Sequence, residues 1–432
     1  MHPAVAILII LACLGAIILV SAWGVRTGKL SGELARKSVH VGMGVICLSF
    51  PWLFDSPLPV QILAAAAILT LLCIRVTQLR QSIGCSLFSI DRLSIGELLF
   101  PLAVAWLFTL AQDQPLLYCI SLLLLTLADT AGALAGGKYG KKIYQSTAAT
   151  KSMEGSIAFF VTAFICTALP LHFFANLCLG PVLVLSFTVA LFTMAVEGAS
   201  GHGLDNLLIP LGAFLLLDYY TGLSSHAIFL QSIVLIALLV LLLTTHRKNT
   251  FDGGAILTAM LFGFATYSLG GTACLISALI LFARHIIAQH FMPKECIVTH
   301  STDVIIAISI PSLFWLTLGQ GKVIDPNIAQ FGFISSLALI TAMLHTGTQK
   351  HMGLHSASLP TAFLLTIITL APALSLDVPV LHFVPTLLLT IPLARFYFHW
   401  RTGPDDPAFY HWFKLGLLAS IVSPVAMLPI LL

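Results

Sequence analysis

Residues 3–23 read PAVAILIILACLGAIILVSAW, a charge-free apolar run, and the first cations, Arg26 and Lys29, follow it directly. At about 1.5 Å per residue such a helix is about 30 Å long, the thickness of a bilayer's hydrocarbon core. Similar runs recur to the end of the chain. Of 432 residues, 58% are hydrophobic and 9% are charged, against about 25% charged in an ordinary soluble domain, so the chain belongs in lipid. Backbone N–H and C=O groups must there satisfy one another, which leaves helices or closed barrels. The short alternating strands of a barrel are missing from the sequence. The expected fold is therefore all-α, a polytopic transmembrane helix bundle.

The runs predict spans at 3–23, 39–54, 58–74, 98–110, 115–127, 156–174, 181–196, 207–217 and 227–245. After a polar break at His246, Arg247, Lys248 and Asn249 come 255–269, 272–283, 304–318, 328–344, 361–374, 378–396 and 413–432. Several fall short of about 17 residues and must tilt, re-enter or draw on flanking residues, which sets the expectation at about 14 to 16 spans. The break divides them into two domains, 1–245 and 246–432. Lys and Arg accumulate in cytoplasmic loops. In the first half they fall in the loops after the first, third, fifth and ninth spans and in no other: Arg26, Lys29, Arg36 and Lys37; Arg75, Arg80 and Arg92; Lys138, Lys141, Lys142 and Lys151; Arg247 and Lys248. The alternation continues with Arg284 and Lys294, Lys350, then Arg395 and Arg401, with Lys322 the exception. The N-terminus is thus expected outside. The first run lacks the basic leader of a signal peptide and is read as a retained helix. A net charge of +3 gives no reason to expect nucleic acid as a partner, and nine cysteines without a CxxC spacing read as small buried hydrophobes.

In that orientation His40, Glu97, Asp129, Glu154, Glu197 and Asp205 all stand at cytoplasmic helix ends. A charge in hydrocarbon costs about 2.5 to 3.5 kcal/mol on insertion scales, so such residues are functional candidates. The stretch from Arg36 through Lys37 and His40 to Gly44 offers two cations for phosphate and glycines for close backbone approach, although positive-inside anchoring accounts for the cations alone. Asp129, then Gly136-Gly137-Lys138-Tyr139-Gly140-Lys141-Lys142, then Lys151-Ser152-Met153-Glu154 offer a carboxylate for Mg2+, a glycine-rich loop whose amides can face phosphates, and lysines to neutralise them. A Walker A loop is absent. Glu197 closes one helix, and Asp205-Asn206 opens the next, where either side chain is a natural N-cap. Glu97 sits in a first helical turn, where the dipole favours a carboxylate.

Together these segments resemble the polyprenol kinase family, the CTP-dependent dolichol and phytol kinases related to CDP-lipid synthases. The resemblance rests on Arg36, Lys37 and His40 (RKxxH), Gly96 to Pro101 (GELxFP), Asp129 through Gly136 and Gly140, Lys151 to Ser156 (KSxEGS) and Asp205 to Pro210 (DNxxxP), in family order over about half the chain. Phosphatidate cytidylyltransferases resemble the same segments, but Gly201-His202-Gly203-Leu204-Asp205-Asn206 has Asn where their pattern wants Arg, which favours the kinase. The resemblance implies transfer of the γ-phosphate of CTP, or of another nucleoside triphosphate, to an isoprenoid alcohol such as phytol, geranylgeraniol or a polyprenol. The reaction is expected at the cytoplasmic face of a bacterial inner membrane. The resemblance further implies Mg2+ held by Asp129, Glu154, and Asp205 or Glu197. Lys151, Lys141, Arg36 and Lys37 would meet phosphate charge, Gly136, Gly140 and Ser152 would adjoin the nucleotide, and Glu97 and Asn206 complete the site. His40 or a carboxylate would orient an alcohol arriving laterally from the bilayer.

Two other functions fit parts of the pattern. A cytidylyltransferase making a CDP-linked lipid would release pyrophosphate rather than CDP. A secondary transporter would set its polar groups near the bilayer midplane, not at helix ends. The second half resembles the membrane family that includes phytyl-phosphate kinases, with His345-Thr346 and Gln349-Lys350-His351 where that family has Asp-Thr and a following Glu. Lacking those carboxylates, it is expected to shape the lipid pocket or a homodimer interface, with Asp252, Asp303, His345 and His351 in capping or solvation. An active second kinase would instead convert the alcohol to a diphosphate.

Overall fold

The computed structural model describes residues 3–76, 95–146, 149–175, 177–293, 299–351, 358–400 and 408–431. Arg80, Cys85, Arg92, Lys294, Cys296 and Arg401 lie outside them. The fold is an all-α membrane bundle: among the described residues ten helices are long and apolar enough to cross a membrane, and three shorter apolar helices accompany them. Large apolar side chains such as Leu8, Trp52, Phe173 and Leu388 face outward, as they do where the solvent is hydrocarbon. Cys13, Cys73 and Cys178 share those outer faces, so the expectation of buried cysteines holds for Cys47, Cys166 and Cys274 and not for these three.

The chain divides into two compact units, Met1–Ser232 and Ile233–Leu432. In the first, α1 (Pro3–Arg26) packs on α2 (Gly32–Leu48), and Ser31 caps α2 by accepting from the Leu34 amide. α3 (Pro57–Val76) packs on α4 (Gly96–Leu110). α5 (Pro115–Leu123) opens on a proline, whose missing N–H would be unpaired there anyway. It continues through a π turn, Leu124–Ala128, into α6 (Asp129–Tyr139). In that turn the Asp129 amide reaches the Leu124 carbonyl instead of Leu125, so one extra residue is wound in and everything after it is re-aimed.

Gly136 and Gly137 lie on α6, and the helix runs on to Tyr139, which corrects the expected glycine-rich loop. Packing explains these glycines. A Cβ on Gly155 of α7 (Met153–Phe174) would stand 2.9 Å from the Gly132 carbonyl oxygen and 3.1 Å from Gly136 Cα, and small residues are what let membrane helices approach this closely. Between α6 and α7 lies a hairpin, β1 (Ile143–Ser146) against β2 (Ala149–Ser152), with Tyr144 opposite Lys151. Ser146 Oγ donates to the Gly198 carbonyl at 2.8 Å, tying the hairpin to the end of α8 (Leu179–Ala199). α9 (Asp205–Thr221) packs on α4 and α8, and α10 (Ser225–Thr244) follows.

In the second unit α11 (Gly253–Phe291) is interrupted at Gly271, whose φ of 71° and ψ of −164° break the winding into two helices, as the runs 255–269 and 272–283 suggest. The axis of the unit is α13 (Pro326–His351). Against it pack α11, α12 (Thr302–Gln320), α14 (Ser358–Leu370), α15 (Phe383–Trp400) and α16 (Ala408–Leu431). Phe331, Phe333, Leu337 and Met343 of α13 are wholly buried. Asp252 caps α11 by accepting from the Ala255 amide at 2.7 Å, and Asp303 accepts from Ser301 Oγ in the first turn of α12.

Candidate active site

Lys37 is 5% exposed, and its Nζ donates to Asp129 Oδ2 at 2.6 Å. An anchoring lysine would extend its ammonium toward the headgroups; this one is committed to an ion pair between α2 and α6. His40, one turn along α2, has Nε2 2.9 Å from the Leu125 carbonyl oxygen and 3.7 Å from Asp129 Oδ2. A carbonyl only accepts, so Nε2 carries the proton and Nδ1 is the acceptor side of the ring. The π turn makes this contact available, because it releases the Leu125 carbonyl from its usual partner, the Asp129 amide.

Lys151, on the hairpin, donates to both the backbone and the carboxylate oxygen of Glu197 and stands 3.9 Å from Asp205 Oδ2. Burial disfavours its charge, but Glu197 and Asp205 outweigh burial and hold its pKa above the ordinary lysine value, so it is an ammonium. Burial also raises the Tyr144 phenol opposite it. Asp205 shares the field of Asp129 and Glu197. Three carboxylates thus face two buried ammonium groups, and Arg36, though paired with Glu33 at 2.9 Å, also lies in the field of Asp129 and Asp205. Carboxylates gathered this closely suit a divalent cation. Among the described residues no three His, Cys, Asp or Glu side chains converge into a ready-made metal cage. Mg2+ needs none, since it is commonly held by one or two carboxylates together with substrate phosphates.

Beside the cluster opens a cleft lined by Arg36, Lys37, Val39, His40, Met43, Leu71, Gly96, Glu97, Phe100, Asp129 and Asn206. Its lining is mixed: Arg36, Lys37, His40, Glu97, Asp129 and Asn206 are charged or polar, and Val39, Met43, Leu71 of α3 and Phe100 of α4 are apolar. The His40 and Phe100 rings meet edge-on, 5.2 Å between centroids. Glu97 is held by Arg75 Nη1 at 3.2 Å. Asn206 Nδ2 donates to the Gly96 carbonyl at 2.8 Å, and the Ile95 amide donates to the His202 carbonyl at 3.0 Å, so the starts of α4 and α9 are pinned together.

Over 205 residues, 47% of this chain and 86% of its relative, the sequence is 31% identical to a phytol kinase of Synechocystis sp.. The chain belongs to the phytol kinase family. About half of it lies outside that match. No protein-family profile and no solved structure matches the chain.

The residues that suggested this family from sequence divide by position. Lys37, His40, Asp129, Lys151, Glu197 and Asp205 come together in one cluster, and Arg36, Glu97 and Asn206 line the adjoining cleft. Glu154 does not join them. Its carboxylate accepts from the Lys141 amide at 3.1 Å and the Lys142 amide at 3.3 Å, closing the exposed base of the hairpin. The Lys141 side chain is likewise exposed. Ser152 caps α7 by accepting from the Gly155 amide, and a Cβ on Gly140 would stand 2.9 Å from that of Ser152, so both are occupied in packing. Asp205 opens α9 without capping it: the cap position is Leu204, and Asp205 Oδ1 accepts from the next amide, Asn206. Glu197 lies inside α8, which runs to Ala199.

Sequence reading missed Arg75 as the partner of Glu97, the π turn, and the apolar side of the cleft. Arg75 carried a signal, being the cation that ends the span ahead of the GELxFP segment. The π turn carried none, because an extra residue inside an apolar run alters no composition.

Proposed function

We propose that the first unit transfers the terminal phosphoryl group of a nucleoside triphosphate, CTP in our reading, to an isoprenoid alcohol. One observation carries the proposal: a cleft lined by both cations and apolar side chains includes Lys37, His40 and Asp129 of the charged cluster. Such a cleft suits a lipid with one polar end. The hydroxyl would lie at His40 and Asp129, and the chain would run past Met43, Leu71 and Phe100 toward the bilayer. The named activity of the Synechocystis relative supports the same substrate class.

Phosphoryl transfer asks a protein mainly to position its reactants and neutralise charge. Lys37 holds the Asp129 carboxylate in place, and Lys151 is a fixed ammonium for phosphate oxygens. His40 Nδ1 is the acceptor for the alcohol proton. Asp129 and Asp205, with Glu197 beside them, are the residues that would hold Mg2+. The bound ion would neutralise charge on the phosphates. The basic-loop pattern supports a cytoplasmic position for this end of the bundle, where nucleotides are.

The test uses purified protein in detergent with Mg2+, γ-labelled CTP, ATP or UTP, and a panel of isoprenoid alcohols, following label into lipid. Label in lipid that disappears in Asp129→Asn is the expected result, and the preferred alcohol and nucleotide are read from the same panel. Pyrophosphate release without labelled lipid would replace the kinase by a cytidylyltransferase.

A further inference from the structure

The second unit has a charge arrangement opposite to the first. Arg284 of α11 is 8% exposed, and its Nη2 donates to Thr348 Oγ1 of α13 at 2.9 Å. Its Nε is buried with no hydrogen-bond partner, and among the described residues no carboxylate pairs with it. His345, three residues before Thr348 and so on the same face of α13, lies within the field of Arg284 and has its own Nε2 buried without a partner. A guanidinium presents its N–H donors in a fork that matches a tetrahedral oxyanion. Burying one without an anion is unfavourable enough that buried charges in membrane helices are as a rule paired or functional.

Depth narrows the identity of the missing anion. Arg284 lies seven residues before the last residue of α11, Phe291, which is about 10 Å along the helix axis. Thr348 lies three residues before the end of α13 at His351, about 4.5 Å along its axis. The site therefore sits near the end of two neighbouring helices, at about the level of lipid phosphates. We propose that Arg284, His345 and Thr348 form a binding site for a phosphate-type oxyanion, with Arg284 as the charged fork, Thr348 fixing its plane and His345 donating from below. The anion is either the headgroup of an anionic phospholipid seated between α11 and α13 or a soluble phosphate. Basic pockets between membrane helices take lipid headgroups in this way. The proposal is independent of the reaction assigned to the first unit, and its test reads binding and not turnover.

The full chain in a neutral detergent is titrated with dilauroyl phosphatidylglycerol, dilauroyl phosphatidylcholine or inorganic phosphate, and thermal unfolding and native mass spectra are recorded. Wild type is expected to gain thermal stability with phosphatidylglycerol and to retain one lipid that Arg284→Gln lacks, with apparent affinity at least tenfold weaker in the variant. A comparable gain with inorganic phosphate alone would assign the site to a soluble ligand; a gain only with phosphatidylglycerol would assign it to a headgroup. Gln keeps a donor for Thr348 and removes the buried charge, so the unliganded variant is expected to fold. Should it not, Thr348→Val and His345→Ala carry the same comparison. Equal responses of wild type and variants to every ligand would overturn the site.

Discussion

Lys37 and Asp129 hold each other charged inside the bundle through a direct ion pair, so their substitutions are coupled. Asp129→Asn and Lys37→Met are each expected to abolish phosphoryl transfer and also to lower thermal stability, since either leaves a buried charge alone at a cost of about 3 to 5 kcal/mol. The double variant is expected to recover stability without activity, which separates the structural role of the pair from its chemical one. Unfolding in detergent and label transfer, measured on the same preparations, give both answers. Glu154→Gln is the contrasting case. Its carboxylate is bound to hairpin amides away from the cluster, so turnover is expected to stay within about threefold of wild type. A loss comparable to that of Asp129→Asn would return Glu154 to the reaction.

The π turn between α5 and α6 decides which way Asp129 points. Deleting Leu127, whose side chain is exposed on the outer face, restores ordinary winding and rotates α6 by about 100° relative to α5. The expected variant keeps its helical circular dichroism and loses transfer by at least about 100-fold, the scale of removing one group that stabilises developing charge. The seat of that turn against α2 is equally tight. A Cβ on Gly44 would collide with the Thr126 side chain, its Cβ included at 2.8 Å, so Gly44→Ala is expected to lower the unfolding temperature, and Thr126→Ala added to it to restore part of the loss. Recovery of Gly44→Ala by a substitution elsewhere on α2 alone would show that the contact lies in a different place. The cleft offers a third handle: Met43→Trp is expected to raise KM for long isoprenoid alcohols more than for short ones, since it adds bulk at an apolar lining position.

Orientation and division concern the bundle as a unit. The basic-loop pattern predicts that, on a cysteine-free background, cysteines at Gly28 and Leu204 are protected from an impermeant maleimide added to intact cells. Cysteines at Gln112 and Ser224 are expected to react. Reversal of the two pairs would put the cluster on the outer face, away from cytoplasmic nucleotide. The division into Met1–Ser232 and Ile233–Leu432 falls within α10, not after it. Compactness follows which residues pack together, whereas the sequence break at His246 follows polarity.

Much of the architecture was legible without coordinates, for a definite reason. In lipid the backbone has only one local way to satisfy itself, so apolar run length reports helix position, and cations report the side on which loops lie. Intramembrane charges are expensive enough to be sparse, which is why Asp129, Lys151, Glu197 and Asp205 could be singled out one by one. Their partnerships were not legible. Lys37 reads as an anchor until α6 is seen to bring Asp129 against it, and Gly136 reads as a loop glycine until α7 is seen to lie on it. Glu154 reads as a ligand until the hairpin turns its carboxylate to backbone amides. Arg284 reads as one more cytoplasmic cation until α13 buries it beside His345. Each of these depends on which faces of distant helices meet, a choice made by packing and by a single extra residue of winding, and neither leaves a mark on local composition.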